Sequence, residues 1–516
     1  MSTANAWLLI VLLLVPLVGG FAIALVRDGR PAKLAALGVS LVEFGLAVAL
    51  WFAYDPGGPR LQLASSVDWI PSFGVHISFA VDGIAMVMIV MIAVLSPIVI
   101  GGSWHDRLLE GRSSRGFFSL LLIMESLVIA VFATTDVFDF YVLFELMLIP
   151  MYFLIGRFGG ERRQYAAVKF FLYSFLGGLL MLASAIGCWA YAQSVTGHGT
   201  FDWATLTRIV SGAPLSVQIW LFLGFFFAFA IKAPLVPLHT WLPDATAAAP
   251  VGVGVMLVGV LDKVGIFGFL RYTIPLFPDA SQALAPLVLV LAVVGVLYGS
   301  VLAAGQSDMK RFIAYVSVAH FGFIALGVFG FTQEGGVGAV TYMVNHSIST
   351  GMFLIVIGMI VWRGRSRLAE DYGGMHKLTP VLSGAMFLAG LTTLSLPGTN
   401  SFVSEFLVLL GSFQTRPVFA ILATIGMVLA AVYVLWLYQR VMHGPTRGAA
   451  LTGVADAPGA ARDPGTSPVK DLSTRERVVL APLVILILVL GFYPKPLLDV
   501  VGPAVSQTLV SVQAGR

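Results

Sequence analysis

Apolar runs of about 20 residues recur from one end of the chain to the other, divided by short polar stretches. Wound as a helix at about 1.5 Å per residue, such a run crosses a hydrocarbon core roughly 30 Å thick. Fourteen spans are predicted, near 5–26, 34–54, 79–101, 117–134, 136–156, 168–193, 216–238, 250–274, 283–304, 311–331, 337–362, 380–411, 417–439 and 478–496. The expected fold class is an all-α polytopic membrane protein with about 14 transmembrane helices. Two spans are interrupted. The seventh reads FFFAFAIKAPLVPLHTWLPDA, with Pro234, Pro237 and Pro243, and the twelfth reads LTTLSLPGTNSFVSEF, with Pro397–Gly398 in its middle. Proline removes an amide donor and breaks the helical ladder. Unwound backbone is tolerated at membrane depth only where protein or a polar cavity meets it.

The broken spans lie five apart. Spans 4–8 and 9–13 are therefore expected to be two five-helix repeats, and an odd number of spans per repeat makes them inverted. The expected divisions are an N-terminal three-helix segment (1–116), a first repeat (117–274), a second repeat (283–439), a loop rich in Gly, Pro and Ala (440–477), and a last span with its tail (478–516).

Composition agrees with the pattern. Of 516 residues, 58% are hydrophobic and only 11% charged, against roughly 25% charged in a soluble domain. The mean hydropathy is +0.93. A soluble fold could not hide that much apolar surface. The net charge of +4 is no nucleic-acid signal, because the basic residues sit in short loops between apolar runs. The one cysteine, Cys188, excludes an internal disulfide and a cysteine-ligated iron–sulfur cluster. No basic stretch precedes the run Trp7–Val26, so it is expected to be a retained span and not a cleaved signal peptide.

The same basic residues give an orientation. With the N-terminus outside, the inner loops carry 22 of the 30 Lys and Arg. The outer connections and tail carry Arg60, Arg208, Arg271, Arg416, Lys495 and Arg516, and Lys232 and Lys263 remain inside apolar runs. Both termini are expected on the outer face.

A charge at the bilayer centre costs roughly 2.5–3.5 kcal/mol on insertion scales, so ionisable residues deep in spans are informative. They are Glu145 in the fifth span, Lys232 just before the seventh-span break, Asp262–Lys263 in the eighth, His320 in the tenth, His346 in the eleventh and Glu405 in the twelfth. Glu125, Asp82 and, in the broken seventh span, His239 complete the set. Glu145 and Lys232 could instead form a structural ion pair joining two helices, and Asp82 suits a helix N-terminus. Read as chemistry, the set suits a proton relay. Burial disfavours a lysine's charge and a nearby carboxylate restores it. Driving one charge against a potential takes roughly 2.3 kcal/mol per 100 mV, and one pKa unit is about 1.36 kcal/mol. A swing of about two units is therefore enough. Histidine is a natural carrier between such sites.

The stretch KAPLVPLHTWLPDATAAAPVGVGVMLVGVLDKVGIFGF resembles the antiporter-like subunits of respiratory complex I, a superfamily that includes multisubunit Na⁺/H⁺ antiporters and membrane-bound hydrogenases. FELMLIPMYFLIGRFGGERRQYAAVKFFLY and PGTNSFVSEFLVLLGSF are similar to its M-type branch, the counterpart of mitochondrial subunit 4. The resemblance covers nearly the whole chain and is weakest in the first two spans and in 440–477. It implies proton-transfer roles for Glu145, Lys232, Lys263, His320 and Glu405, with His346 beside His320 on a central axis; His239, Asp262 and Glu125 are read as supporting residues from their place in the spans. The glutamate at 405 marks the M branch, since the L and N sisters carry lysine there. The Ala-Thr-Ala-Ala-Ala-Pro after the H-T-W-L-P-D motif departs from the family, where a polar residue is common.

The implied function is a proton-translocating subunit of NADH:quinone oxidoreductase in a bacterial inner membrane, partnered by the sister subunits L and N. No cofactor or metal is expected in this chain. FMN, iron–sulfur clusters and quinone would belong to the rest of the complex. The alternative is a subunit of a multisubunit Na⁺/H⁺ antiporter, and a third reading is a purely structural membrane scaffold.

Overall fold

The computed structural model describes residues 6–448, 451 and 469–513. The chain begins with α1 (Ala6–Leu25) and α2 (Arg30–Ala53), followed by a hairpin of β1 (Gln62–Ile70) and β2 (Val75–Val81). Then come α3 (Gly83–Gly102), α4 (Ser114–Ala133), α5 (Val137–Leu146), α6 (Leu148–Phe158), α7 (Arg163–Thr196), α8 (Trp203–Val210) and α9 (Leu215–Lys232). After a break follow α10 (Trp241–Ala248), α11 (Val251–Met256), α12 (Lys263–Gly268) and α13 (Ile274–Leu276), with π-helical turns at Leu257–Leu261 and Phe269–Thr273. The rest is α14 (Pro278–Ala304), α15 (Met309–Phe329), α16 (Gln333–Gly364), α17 (Pro380–Thr393), α18 (Asn400–Thr415), α19 (Pro417–Met442), α20 (Thr474–Phe492) and α21 (Lys495–Gln513).

Twelve helical segments among the described residues are long and apolar enough to cross a membrane. The pair α20–α21, bent by 68°, makes a thirteenth if counted as one span. The expected twelfth span is two short helices, α17 and α18, on either side of Leu394–Thr399. The expected loop 440–477 falls largely on residues 449–450 and 452–468, outside the described residues.

Two features depart from the all-α expectation of helices and a plain tail. β1 and β2 pair antiparallel around Gly74, whose φ of +64° suits a residue without a Cβ. The strands take residues 79–81 from the expected third span, and α3 starts after its cap Asp82, whose side chain accepts from the Ala85 amide. The tail is a helix. α21 buries Leu497, Val500, Val501, Ala504, Val505, Leu509 and Val512, a stripe at helical spacing. It packs on α3, α14 and α16 at the hairpin end of the bundle. There Gln333 donates to the Gly502 carbonyl (2.8 Å) and Arg60 to Thr508 Oγ1 (3.1 Å).

The bundle is graded from inside out. The segment Val251–Leu276 is wholly buried across its apolar window, and α15 and α16 nearly so, whereas α1, α2 and α19 bury only about a third of theirs. The polar residues of interest sit mainly on the inner elements.

Candidate functional site

The first cluster forms at the seventh-span break. α9 ends at Lys232, because Pro234 and Pro237 offer no amide to continue the ladder. The carbonyl of Ile231, left without its helical donor, accepts from the Trp241 indole (2.9 Å). The break is therefore satisfied inside protein and leaves Lys232 at a helix end. The Lys232 side chain is wholly buried, with Nζ 5.0 and 5.2 Å from the ring centroids of Phe144 and Phe170. Its hydrogen-bond partner is Ser174 Oγ on α7, at 3.5 Å. One turn further along α7, Gly178 meets the carboxyl of Glu145 so closely that any Cβ there would occupy its place. Ser174 and Gly178 lie on one helix face, so α7 presents Lys232 and Glu145 with adjoining seats. The two charges do not form a salt bridge within 4 Å among the described pairs, and Glu145 Oε1 has no partner. The structural ion pair is open in this conformation.

The second cluster centres on Lys263. The π turn Leu257–Leu261 displaces its carbonyls from the α-helical ladder. Lys263 Nζ bonds the Val258 carbonyl (2.6 Å), and Ser347 of α16 bonds the Gly259 carbonyl. Lys263 Nζ also meets Asp262 Oδ1 (3.1 Å) and His346 Nδ1 (2.6 Å), 4.9 Å from the Phe321 ring centroid. Asp262 is thus a partner of its neighbour, with Oδ2 still unpartnered.

From His346 the contacts continue. Its ring lies 5.2 Å from that of His320, edge-on at 84°. The His320 ring lies 5.5 Å from Tyr342. Tyr342 Oη donates to Glu405 Oε2 (3.5 Å), and Ser395 donates to the same oxygen. His320 Nδ1 and His346 Nε2 have no partner. Every group in this series is buried, and it runs from the eighth span through α16 and α15 to α18 without a gap in side-chain contact.

Glu405 is aimed by the twelfth-span break. Ser395 and Gly398 take positive φ (+58° and +93°), turning the chain between α17 and α18. Asn345 of α16 donates to the Asn400 carbonyl (2.7 Å) and to Ser404 (3.3 Å). Asn400 donates back to Asn345 and accepts from Thr392 (2.6 Å). Neutral amides and hydroxyls thus satisfy the open backbone.

The remaining expected residues lie apart from this series. His239 stands in the seventh-span break against the rings of Tyr298 and Tyr315, with Nδ1 unpartnered. Glu125 of α4 accepts from Ser96 of α3 and faces Glu43 of α2. Asp82 pairs with Arg271 at 2.8 Å, both buried. That corrects the placing of Arg271 in an outer loop. The π turn Phe269–Thr273 carries it inside the eighth span, and Lys310 and Arg363 are buried as well. Sequence reading missed Ser174, Gly178, Tyr342, Asn345, Ser395 and Asn400. Among the described residues no group of three or more His, Cys, Asp or Glu is arranged to hold a metal ion.

Residues 134–430 match the family described as NADH:quinone oxidoreductase/Mrp antiporter, transmembrane. The chain belongs to that family. NADH-quinone oxidoreductase subunit M of Mycobacterium tuberculosis is 42% identical, over 97% of this chain and 94% of that protein. Subunit M of Rhodobacter capsulatus is 36% identical over 98% and 97%. Respiratory complex I from Thermus thermophilus contains a chain of the same fold, with a TM-score of 0.85, 30% identity, and coverage of 98% and 99%. The antiporter-family match spans the whole series from Glu145 to Glu405; Glu43 and Glu125 fall outside it.

Proposed function

We propose that this chain is a proton-translocating, antiporter-like membrane subunit of an NADH:quinone oxidoreductase, of the M type. Protons are carried laterally at mid-depth by Glu145, Lys232, Lys263, His346, His320, Tyr342 and Glu405. The carrying observation is the unbroken buried contact series Lys263–His346–His320–Tyr342–Glu405. Its members are proton-exchanging side chains that differ in kind along its length. Glu145, seated on Gly178 and not locked to Lys232, is the movable charge that decides whether Lys232 holds its proton.

Redox chemistry belongs to other subunits, with FMN, iron–sulfur clusters and quinone there, and this chain receives their drive through the membrane arm. Its neighbours are the sister subunits L and N, in a bacterial inner membrane with both termini on the outer face. The broken pair α17–α18 is the fourteenth crossing, and spans 4–8 and 9–13 are the inverted repeats.

The test is NADH-driven proton pumping in inverted membrane vesicles. Lys232→Ala and Glu145→Gln in an assembled complex should each abolish most of it, and Glu145→Asp should retain more than Glu145→Gln. Normal pumping in assembled Lys232→Ala would leave a scaffold role only. A proton flux that required Na⁺ would favour the cation exchanger.

A further inference from the structure

Away from the Glu145–Glu405 series, a second pair of acids is buried in the membrane interior. Glu43 lies near the middle of α2 and Glu125 near the middle of α4, and both are essentially inaccessible. Ser96 of α3 donates to Glu125 Oε1. α2 packs on α4, the Glu43 carboxyl interacts with that of Glu125, and among the described residues neither Glu43 oxygen has a hydrogen-bond partner. α1, which packs on both α2 and α4, carries no ionisable residue, and the groups that face the pair from α2, α3 and α4 are each other and Ser96. No Lys, Arg or His approaches them among the described ion pairs.

Two carboxylates cannot both stay ionised in such a place. Like charges in contact disfavour double ionisation, and no buried cation offsets them. Glu125 is already an acceptor, so the donor missing from Glu43 has to lie between the two acids. A single proton there turns repulsion into a charge-assisted O–H···O⁻ bond, among the strongest a protein makes.

We propose that Glu43, Glu125 and Ser96 form a proton-binding site that holds one proton shared between the two carboxyls and clasps α2 to α4. The site stands whether or not the Lys263–Glu405 series carries protons, since none of its residues touches that series.

Infrared difference spectroscopy of the assembled complex tests it directly. Wild type minus Glu43→Gln/Glu125→Gln should show the loss of one protonated-acid carbonyl band together with one set of carboxylate bands, from pH 7 to 9. Loss of carboxylate bands alone would mean two ionised acids, and loss of acid bands alone would mean two separate neutral acids. Either overturns the shared proton. If the double variant does not assemble, Glu43→Asp replaces it, keeping a carboxyl on a shorter arm. A shifted acid band supports the site, and an unchanged spectrum overturns it.

Discussion

Tyr342→Phe removes one oxygen atom from the proposed relay. The hydroxyl stands 3.5 Å from Glu405 Oε2, while the ring lies 5.5 Å from His320. At that length the hydrogen bond contributes about 1 kcal/mol or less. Ser395 still donates to Glu405, so no carboxyl is stranded. The phenylalanine ring keeps the contact with His320, and the complex should assemble at normal levels. Proton transfer is another matter. It needs heavy atoms within roughly 2.6–3.2 Å or one bridging water, so the 3.5 Å contact has to shorten by a few tenths of an ångström as the proton passes, and without the hydroxyl there is nothing to shorten. The space vacated is about one oxygen atom, short of the roughly 10–15 Å³ of probe-occupied volume that a cavity needs to hold a water, so no water is expected to restore the link. A positioned proton donor typically contributes about 10²–10⁴-fold. Some of that is hidden if another step limits turnover, so the expected loss in NADH-driven pumping is roughly 10-fold or more. Oxidation of NADH by an artificial acceptor, which bypasses the membrane arm, should stay normal and report assembly. Wild-type pumping with an unchanged proton-to-electron ratio in assembled Tyr342→Phe would refute a route through this hydroxyl.

Three further changes probe the supports of the site. Gly178→Ala puts a Cβ where the Glu145 carboxyl lies; the side chain must rotate away at about 0.5–1.5 kcal/mol, so assembly should survive while pumping falls as in Glu145→Gln, and normal pumping would show that the carboxyl's position is immaterial. Asn400→Ala takes the donor from Asn345 Oδ1 and the close acceptor from Thr392; with about 1–3 kcal/mol per stranded buried group, the melting temperature of the purified complex should drop measurably, and an unchanged one would count against the amide clasp. Arg271→Met leaves Asp82 buried without its counter-charge; a loss of about 3–5 kcal/mol is expected, read as reduced assembled complex, with partial recovery in Arg271→Met/Asp82→Asn, and no recovery would mean the arginine acts through packing.

The span pattern was legible because a membrane helix announces itself by length and hydropathy, and the two breaks because proline cannot continue the ladder. Glu145, Lys232, Lys263 and Glu405 stood out for the cost of burying charge. Tyr342, Asn345, Asn400 and Ser395 did not, because neutral polar residues carry little penalty in a hydropathy profile and their value lies in whom they meet across helices. Glu43 carried the same signal as Glu125, an acid within an apolar run, and was within reach of the reasoning that found its partner. Arg271 lies three residues inside the end of the predicted run 250–274, where a basic residue reads as the edge of the outer connection and its pairing with Asp82 across helices leaves no mark in the sequence. The hairpin was hidden because polar and apolar positions alternate only partly along Gln62–Ile70. The tail helix was hidden by Gly502 and Pro503, which read as breakers and yet sit within α21.

The buried charges divide by chemistry as well as by place. Toward the hairpin end of the bundle Arg271 grips Asp82, and toward the opposite end Arg363 holds Glu476 through its two terminal guanidinium nitrogens, each at 2.9 Å. A guanidinium keeps its proton at any ordinary pH, so these pairs fix geometry and cannot pass a proton along. Between them, Glu405 meets no cation among the described residues; its partners are the hydroxyls of Ser395 and Tyr342. A hydroxyl both donates and accepts, so the carboxyl it touches can gain or lose a proton without breaking the packing around it. Lys263 likewise faces His346, a group that exchanges protons. The breaks in α9 and between α17 and α18 are closed by an indole, amides and hydroxyls. Had charged groups closed them, the ionisable side chains would be committed to holding the backbone. Neutral groups do that work instead, which is what the proposed relay requires of Lys232 and Glu405.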